Sequence, residues 1–106
     1  MMLLTKENRM ALPALYSTED VPSENKLAVV KFFDPTSQWT WYAIEFDGTD
    51  RFFGLIHGQE TELGYFSLAE LHSSKNRLGL GIERDMYFTP TPISQIYKQH
   101  TGCNLE

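Results

Sequence analysis

Cysteine is nearly absent from this 106-residue chain. Cys103 stands alone, so no disulfide forms within one molecule. A single thiol and no secretion signal fit a reducing, cytoplasmic setting. Basic residues are also few: nine Lys and Arg against fourteen Asp and Glu leave a formal charge of −5. Nucleic-acid binding draws on clustered cations that neutralise phosphates, and no basic run occurs here. An acidic chain suits solubility and a basic partner surface better. Long apolar stretches are missing too. Lys6, Glu7, Asn8 and Arg9 interrupt the opening MMLLTKENRM, so it has no signal-peptide core. Nothing approaches the ~18 apolar residues of a membrane span, and no membrane role is expected. There is no Gly-x-Ser-x-Gly elbow, P-loop or dinucleotide fingerprint, and no cofactor is expected.

What the chain does have is aromatics: seven Phe, five Tyr and two Trp. Each buries a large area, so a few of them supply most of a small core. The length fits one domain over 1–106 that buries roughly 65% of its unfolded surface. The terminal pair Leu105-Glu106 resembles a cloning remnant rather than native sequence.

The stretch from Lys26 to Phe66 is the densest in aromatic and β-branched residues, and turn signals divide it into strand-length pieces. Strands are expected at Leu27–Phe33, Trp39–Phe46, Arg51–His57 and Thr61–Tyr65. Asp34-Pro35-Thr36-Ser37, Asp47-Gly48 and Gly58-Gln59-Glu60 separate them. Three hairpins in succession make a meander. Within the second strand, alternation puts Tyr42, Ile44 and Phe46 on one face and Trp39, Trp41, Ala43 and Glu45 on the other. Gly54 inside a strand hints at a bulge or at close packing by a neighbour, such as a Trp ring.

Helices flank the sheet. Thr5 caps a short one near 6–12, and Pro13 stops it; Leu15 and Tyr16 then dock on the core. Ser67-Leu68-Ala69-Glu70 fits a capping box, with Leu68 and Leu71 turned to the sheet. Residues 75–83 read as an irregular loop, and Arg84–Phe88 as an edge strand. Thr91 as N-cap and Pro92 in the first turn open a last helix over 92–100, which Gly102 ends. The fold class is α+β: a small antiparallel meander of about four to five strands, with N-terminal, middle and C-terminal helices packed on it.

The runs KFFDPTSQWTWYAIEFDG, FFGLIHGQETELGYFSLAEL and IERDMYF, the last followed by Pro90, resemble the DUF2958 family over about Leu12 to Ile93. The Trp39-Thr40-Trp41-Tyr42 cluster and the step from Gly64 to Leu68 carry the likeness. The resemblance implies a small bacterial or phage cytoplasmic protein, of a kind also found on mobile elements. That family has no established activity, so no catalytic residue transfers with it.

Several residues invite a chemical reading, each with a plainer alternative. His57, Glu60 and Glu62 are metal-ligand types gathered at one hairpin, yet no second His or Cys sits at ligand spacing, and a solvated turn explains them as well. His72 and His100 can approach only through folding. Asp34, Glu45, Asp47 and Asp50 gather near the hairpin ends, where carboxylates could do acid–base work; turn aspartates have the same look in any β protein. Arg84, between Glu83 and Asp85, suits an anionic ligand or an internal ion pair. Trp39 and Trp41, beside Glu45, form either a recognition surface or a second half of the core under a helix. A non-enzymatic protein-binding module using that aromatic face is the leading expectation. A small hydrolase-like enzyme with a carboxylate or His57 site, metal-assisted or not, is the alternative. Stacking on a nucleobase has the rings but lacks the positive charge.

Overall fold

One interruption in the side-chain alternation decides what this sheet buries and what it leaves open. The computed structural model describes residues 2–75 and 78–105. In chain order the elements are α1 (Lys6–Ala11), a 3-10 turn at Ser23–Asn25, β1 (Leu27–Ala28), β2 (Val30–Phe33), β3 (Thr40–Phe46), β4 (Arg51–His57), β5 (Thr61–Ser67), α2 (Leu68–Ser73), β6 (Glu83–Arg84), β7 (Thr91–Pro92) and α3 (Ile93–Thr101). Five strands pair antiparallel in the order β5-β4-β3-β2-β6, and β1 pairs with β7 in a second, two-stranded sheet. The expected α+β meander with three helices is what forms.

The register of β3 on β4 shifts between Ala43 and Glu45. Such a bulge adds one residue to one strand and reverses the facing of everything beyond it. Phe46 therefore does not share a face with Tyr42 and Ile44, as alternation predicted. It joins Ala43 and the half-buried Trp41 in a cluster with Val30, Phe32 and Phe52. Phe46, Phe52 and Phe66 form a stacked row across three strands, with centroids 4.5 and 5.0 Å apart. Leu3, Leu4 and Leu12 on either side of α1, with Leu68 and Leu71 of α2, cover this end of the face. Each fully buried side chain of that size contributes about 1.5–3 kcal/mol. Beyond the bulge the Phe46 N–H is free of the β2 ladder and donates to the Pro13 carbonyl at 2.9 Å.

The opposite face carries Tyr42, Ile44 and Leu55 under Ile93 and Ile96 of α3, with Tyr97 and Leu105 at the margin. The last helix thus packs on the Tyr42 face and not on the tryptophans. The strand expected over Leu27–Phe33 is broken at Val29. Its first two residues leave the large sheet to pair with Thr91 and Pro92, and the Lys26 carbonyl accepts the Ile93 N–H at 2.8 Å. That pairing takes Thr91 and Pro92 out of the helix, which starts one residue late with no side-chain cap. Gly102 ends it at φ 75°, as a left-handed C-cap requires.

Most local signals form as read. Thr5 caps α1, and Asn8 completes the box by accepting the Thr5 N–H at 3.0 Å. The box expected at Ser67–Glu70 forms only in part: Ser67 accepts the Glu70 N–H at 3.3 Å, while Asp50, and not Glu70, adds a carboxylate by accepting the Ala69 N–H at 2.8 Å. Tyr16 departs from expectation: it is exposed, with a positive φ of 69°, and rests against Tyr65. The edge strand is confined to Glu83 and Arg84. Of the loop expected over 75–83, residues 76 and 77 lie outside the described residues. No helix among the described residues is long and apolar enough to cross a membrane.

Candidate functional site

Cross-strand register assembles a ledge at the uncovered end of the bulged face. Trp41 pairs with Ile56, and Ile56 with Glu62, so these three form one row over β3, β4 and β5. Trp39, two residues back, shares their face and stacks on Trp41 with centroids 6.0 Å apart. Trp41 is half-buried against the phenylalanine cluster, whereas Trp39 is 40% exposed. The Trp39 indole lies over Gly58 in the β4–β5 turn, where a Cβ would overlap the ring. The Gln38 amide clamps the same turn by donating to the Gly58 carbonyl at 3.3 Å. Trp39, Ile56, Gln59, Glu60 and Glu62 line a concavity of about 610 Å³. Its chemistry is an aromatic face bordered by two exposed carboxylates.

Three of the expected site residues lie elsewhere. Glu45 is not beside the tryptophans. The bulge turns it to the other face, where it is 3% exposed. Its carboxylate accepts the Tyr16 N–H at 2.8 Å, the Thr18 N–H at 3.1 Å and the Thr18 hydroxyl, and Thr18 in turn accepts from the buried Lys26 ammonium. Arg84 begins a row that continues through Phe32, Trp41 and Ile56 to Glu62. Four strand spacings separate its ends, about 19 Å. The Arg84 guanidinium donates to the Met2 carbonyl at 2.6 Å. His57 also parts from Glu60 and Glu62. Odd-numbered residues of β4 face α3, so its ring bonds Thr61 at 2.7 Å and stacks on His100. No group of three or more His, Cys, Asp or Glu among the described residues is placed to hold a metal ion.

The turn carboxylates are occupied by backbone. The Asp47 carboxylate accepts the N–H groups of Thr49, Asp50 and Arg51, which holds its pKa below the usual range. The Ser67 hydroxyl and the Ala69 N–H do the same for Asp50. Asp34 accepts the Thr36 N–H at 2.9 Å.

The sequence matches, over residues 3–102, the family described as "Protein of unknown function (DUF2958)". The chain belongs to the DUF2958 family. No curated protein matches it, and no solved structure does. Residue roles in this DUF2958 chain therefore rest on its own geometry.

A second cluster on the α3 face of the DUF2958 fold was not legible as a site. The His57 and His100 rings stack with centroids 3.8 Å apart, and His100 Nε2 lies 2.8 Å from the Tyr42 hydroxyl. Lys31 lies over the Tyr42 ring, 5.7 Å from its centroid, and pairs with Asp85 at 3.8 Å. Burial, reinforced by Asp85, pushes the Tyr42 phenol up to about 12. Burial, then the neighbouring His57 and Lys31, hold His100 below the ordinary imidazole value of 6.5. The signal that could have found it is helical spacing: His100 lies four and seven residues beyond Ile96 and Ile93, on the buried stripe.

This cluster gives a pH prediction with a definite sign. The folded state resists protonating His100, so below 6.5 the unfolded chain binds more protons. The stabilisation is complete above that value and is lost as pH falls through the lower folded-state value. The urea midpoint should drop between about pH 7.5 and about pH 5.5, and His100→Gln should flatten that dependence. Equal pH slopes for the two proteins would remove His100 as the cause.

Proposed function

We propose that this DUF2958 protein is a non-enzymatic binding module that holds a basic side chain of a protein partner on the Trp39 ledge. The observation that carries the reading is the Trp39 indole, exposed and bordered by Glu60 and Glu62 in one concavity. An indole face attracts a guanidinium or ammonium, and adjacent carboxylates add charge-assisted hydrogen bonds. The net charge of −5 attracts the same kind of partner and repels phosphate backbones. Gly58 and Gln38 fix the turn beneath the ring, so the ledge is set before binding.

The small-hydrolase reading retains only Glu60 and Glu62 at the concavity. Its base, His57, is on the far face of the sheet. Both glutamates are exposed on one hairpin. Acid–base catalysis by two carboxylates needs environments that differ, so this pair suits cation binding better.

The test follows tryptophan fluorescence while titrating an acetylated, amidated Gly-Arg-Gly peptide, with Gly-Gln-Gly as control. Binding of the arginine peptide should weaken about tenfold in Trp39→Ala, between the worth of an exposed and of a desolvated cation–π contact. Gly58→Ala, which displaces the ring, should weaken it similarly. Equal binding of both peptides, or an unchanged affinity in Trp39→Ala, would rule out this mode of recognition.

A further inference from the structure

Strand β5 ends the large sheet, and its inner side pairs with β4 over all seven residues. The Gly58 N–H donates to the Glu60 carbonyl at 2.9 Å, which sets the alternation of the ladder. Glu62, Gly64 and Phe66 turn their backbone groups inward to β4, and Thr61, Leu63 and Tyr65 turn theirs outward. Among the described residues nothing bonds those outward N–H and C=O groups. Proteins ordinarily protect such an edge with Lys, Pro, a bulge or short length. The other edge follows that practice: β6 has two residues, both charged. β5 has seven, with no Lys, no Pro and an unbroken register, and Glu62 is its only charge.

The sequence of this edge is close to its own complement. Read about Gly64, the strand TELGYFS sets Leu63 opposite Tyr65, Thr61 opposite Ser67, Glu62 opposite Phe66, and glycine opposite itself. We propose that the open edge takes a second copy of this chain, paired antiparallel about a two-fold axis at Gly64, so that two five-stranded sheets become one. Leu63 and Tyr65 would each exchange backbone bonds with their counterpart in the partner subunit. With the Ser67 N–H donating to Thr61 of the partner subunit, about six hydrogen bonds form. This register keeps the two Glu62 carboxylates apart. It also places glycine at the non-hydrogen-bonded centre, where the Cα atoms come closest, about 4.5 Å.

Gly64 supplies the test, because a Cβ there meets only Ile56 Cδ1, at 3.6 Å. Gly64→Lys and Gly64→Glu should fold, while each puts like charges directly across the axis. By sedimentation equilibrium at about 100 μM, the native chain should be dimeric and each variant monomeric, the dissociation constant rising at least about tenfold. An equimolar mixture of the two variants should recover a heterodimer. A monomeric native chain at that concentration, a Gly64→Lys variant as dimeric as the native chain, or a mixture that stays monomeric would overturn the proposal. Amide exchange of the native protein checks it without a variant. The Leu63 and Tyr65 N–H groups should gain protection with concentration, and protection independent of concentration would also overturn it. The readout does not involve Trp39, so its failure leaves the ledge reading standing.

Discussion

Gly54→Ala should lose a large share of the stability of the fold. A Cβ at Gly54 would overlap the Tyr42 carbonyl oxygen and lie 2.9 Å from the Tyr42 carbon and 3.1 Å from the Ala43 Cα. All three are backbone atoms beside the bulge, so no rotamer change relieves the clash. Either β3 parts from β4 or the bulge rearranges. Inserting one methyl into a packed core usually costs about 1–3 kcal/mol; here the cost should be about 3–5 kcal/mol. That is a large share of the roughly 5–15 kcal/mol that holds a domain together. Gly64→Ala, with only a side-chain atom nearby, is the matched control and should change stability by less than about 1 kcal/mol. Urea denaturation of the pair decides the matter, and similar midpoints would refute the close approach.

Glu45→Ala should cost about 3 kcal/mol and release the connector from Pro13 to Lys26. The buried carboxylate receives two backbone N–H groups and a hydroxyl from that connector. One of them belongs to Tyr16, whose left-handed backbone costs of order 1 kcal/mol and persists because the carboxylate holds it. The buried Lys26 ammonium donates to the Thr18 carbonyl and hydroxyl, so a released connector also loosens the residue it binds. Hydrogen bonds to a charged group are worth about 1.5–3 kcal/mol, and all of those to the Glu45 carboxylate are lost together. Glu45→Gln keeps the volume but offers one acceptor oxygen, so it should fall between. Amide exchange at Tyr16 and Thr18, with the urea midpoint, measures both effects. Native-like protection of those two amides in Glu45→Ala would show that the connector is held by something else.

The two predictions bear differently on what could be read in advance. Gly54 was legible as a place of close approach, because glycine inside a strand calls for a reason. The neighbour that approaches is the Tyr42 backbone and not a Trp ring, and no spacing in the sequence identifies it. Strict alternation puts Glu45 on the Trp41 face. One extra residue in β3 moved it to the opposite face and into the core. The ledge was half legible: Trp39 and Trp41 were singled out, but Gly58 beneath the ring and the row from Trp41 to Glu62 are products of register. His100 is remote from His57 in sequence, and only the packing of α3 on the Tyr42 face joins them.

The amino-acid sequence by itself determined the elements: the meander, its turns, the Thr5 and Ser67 caps, the Gly102 stop and the family. These depend on neighbours within a few residues, through backbone sterics, capping hydrogen bonds and hydrophobic period. Tertiary structure alone decided which face each side chain occupies beyond the bulge, where β1 leaves the sheet, and which histidines meet. Those outcomes balance packing on one face against packing on the other, between residues tens of positions apart, and no local rule holds both sides of that balance.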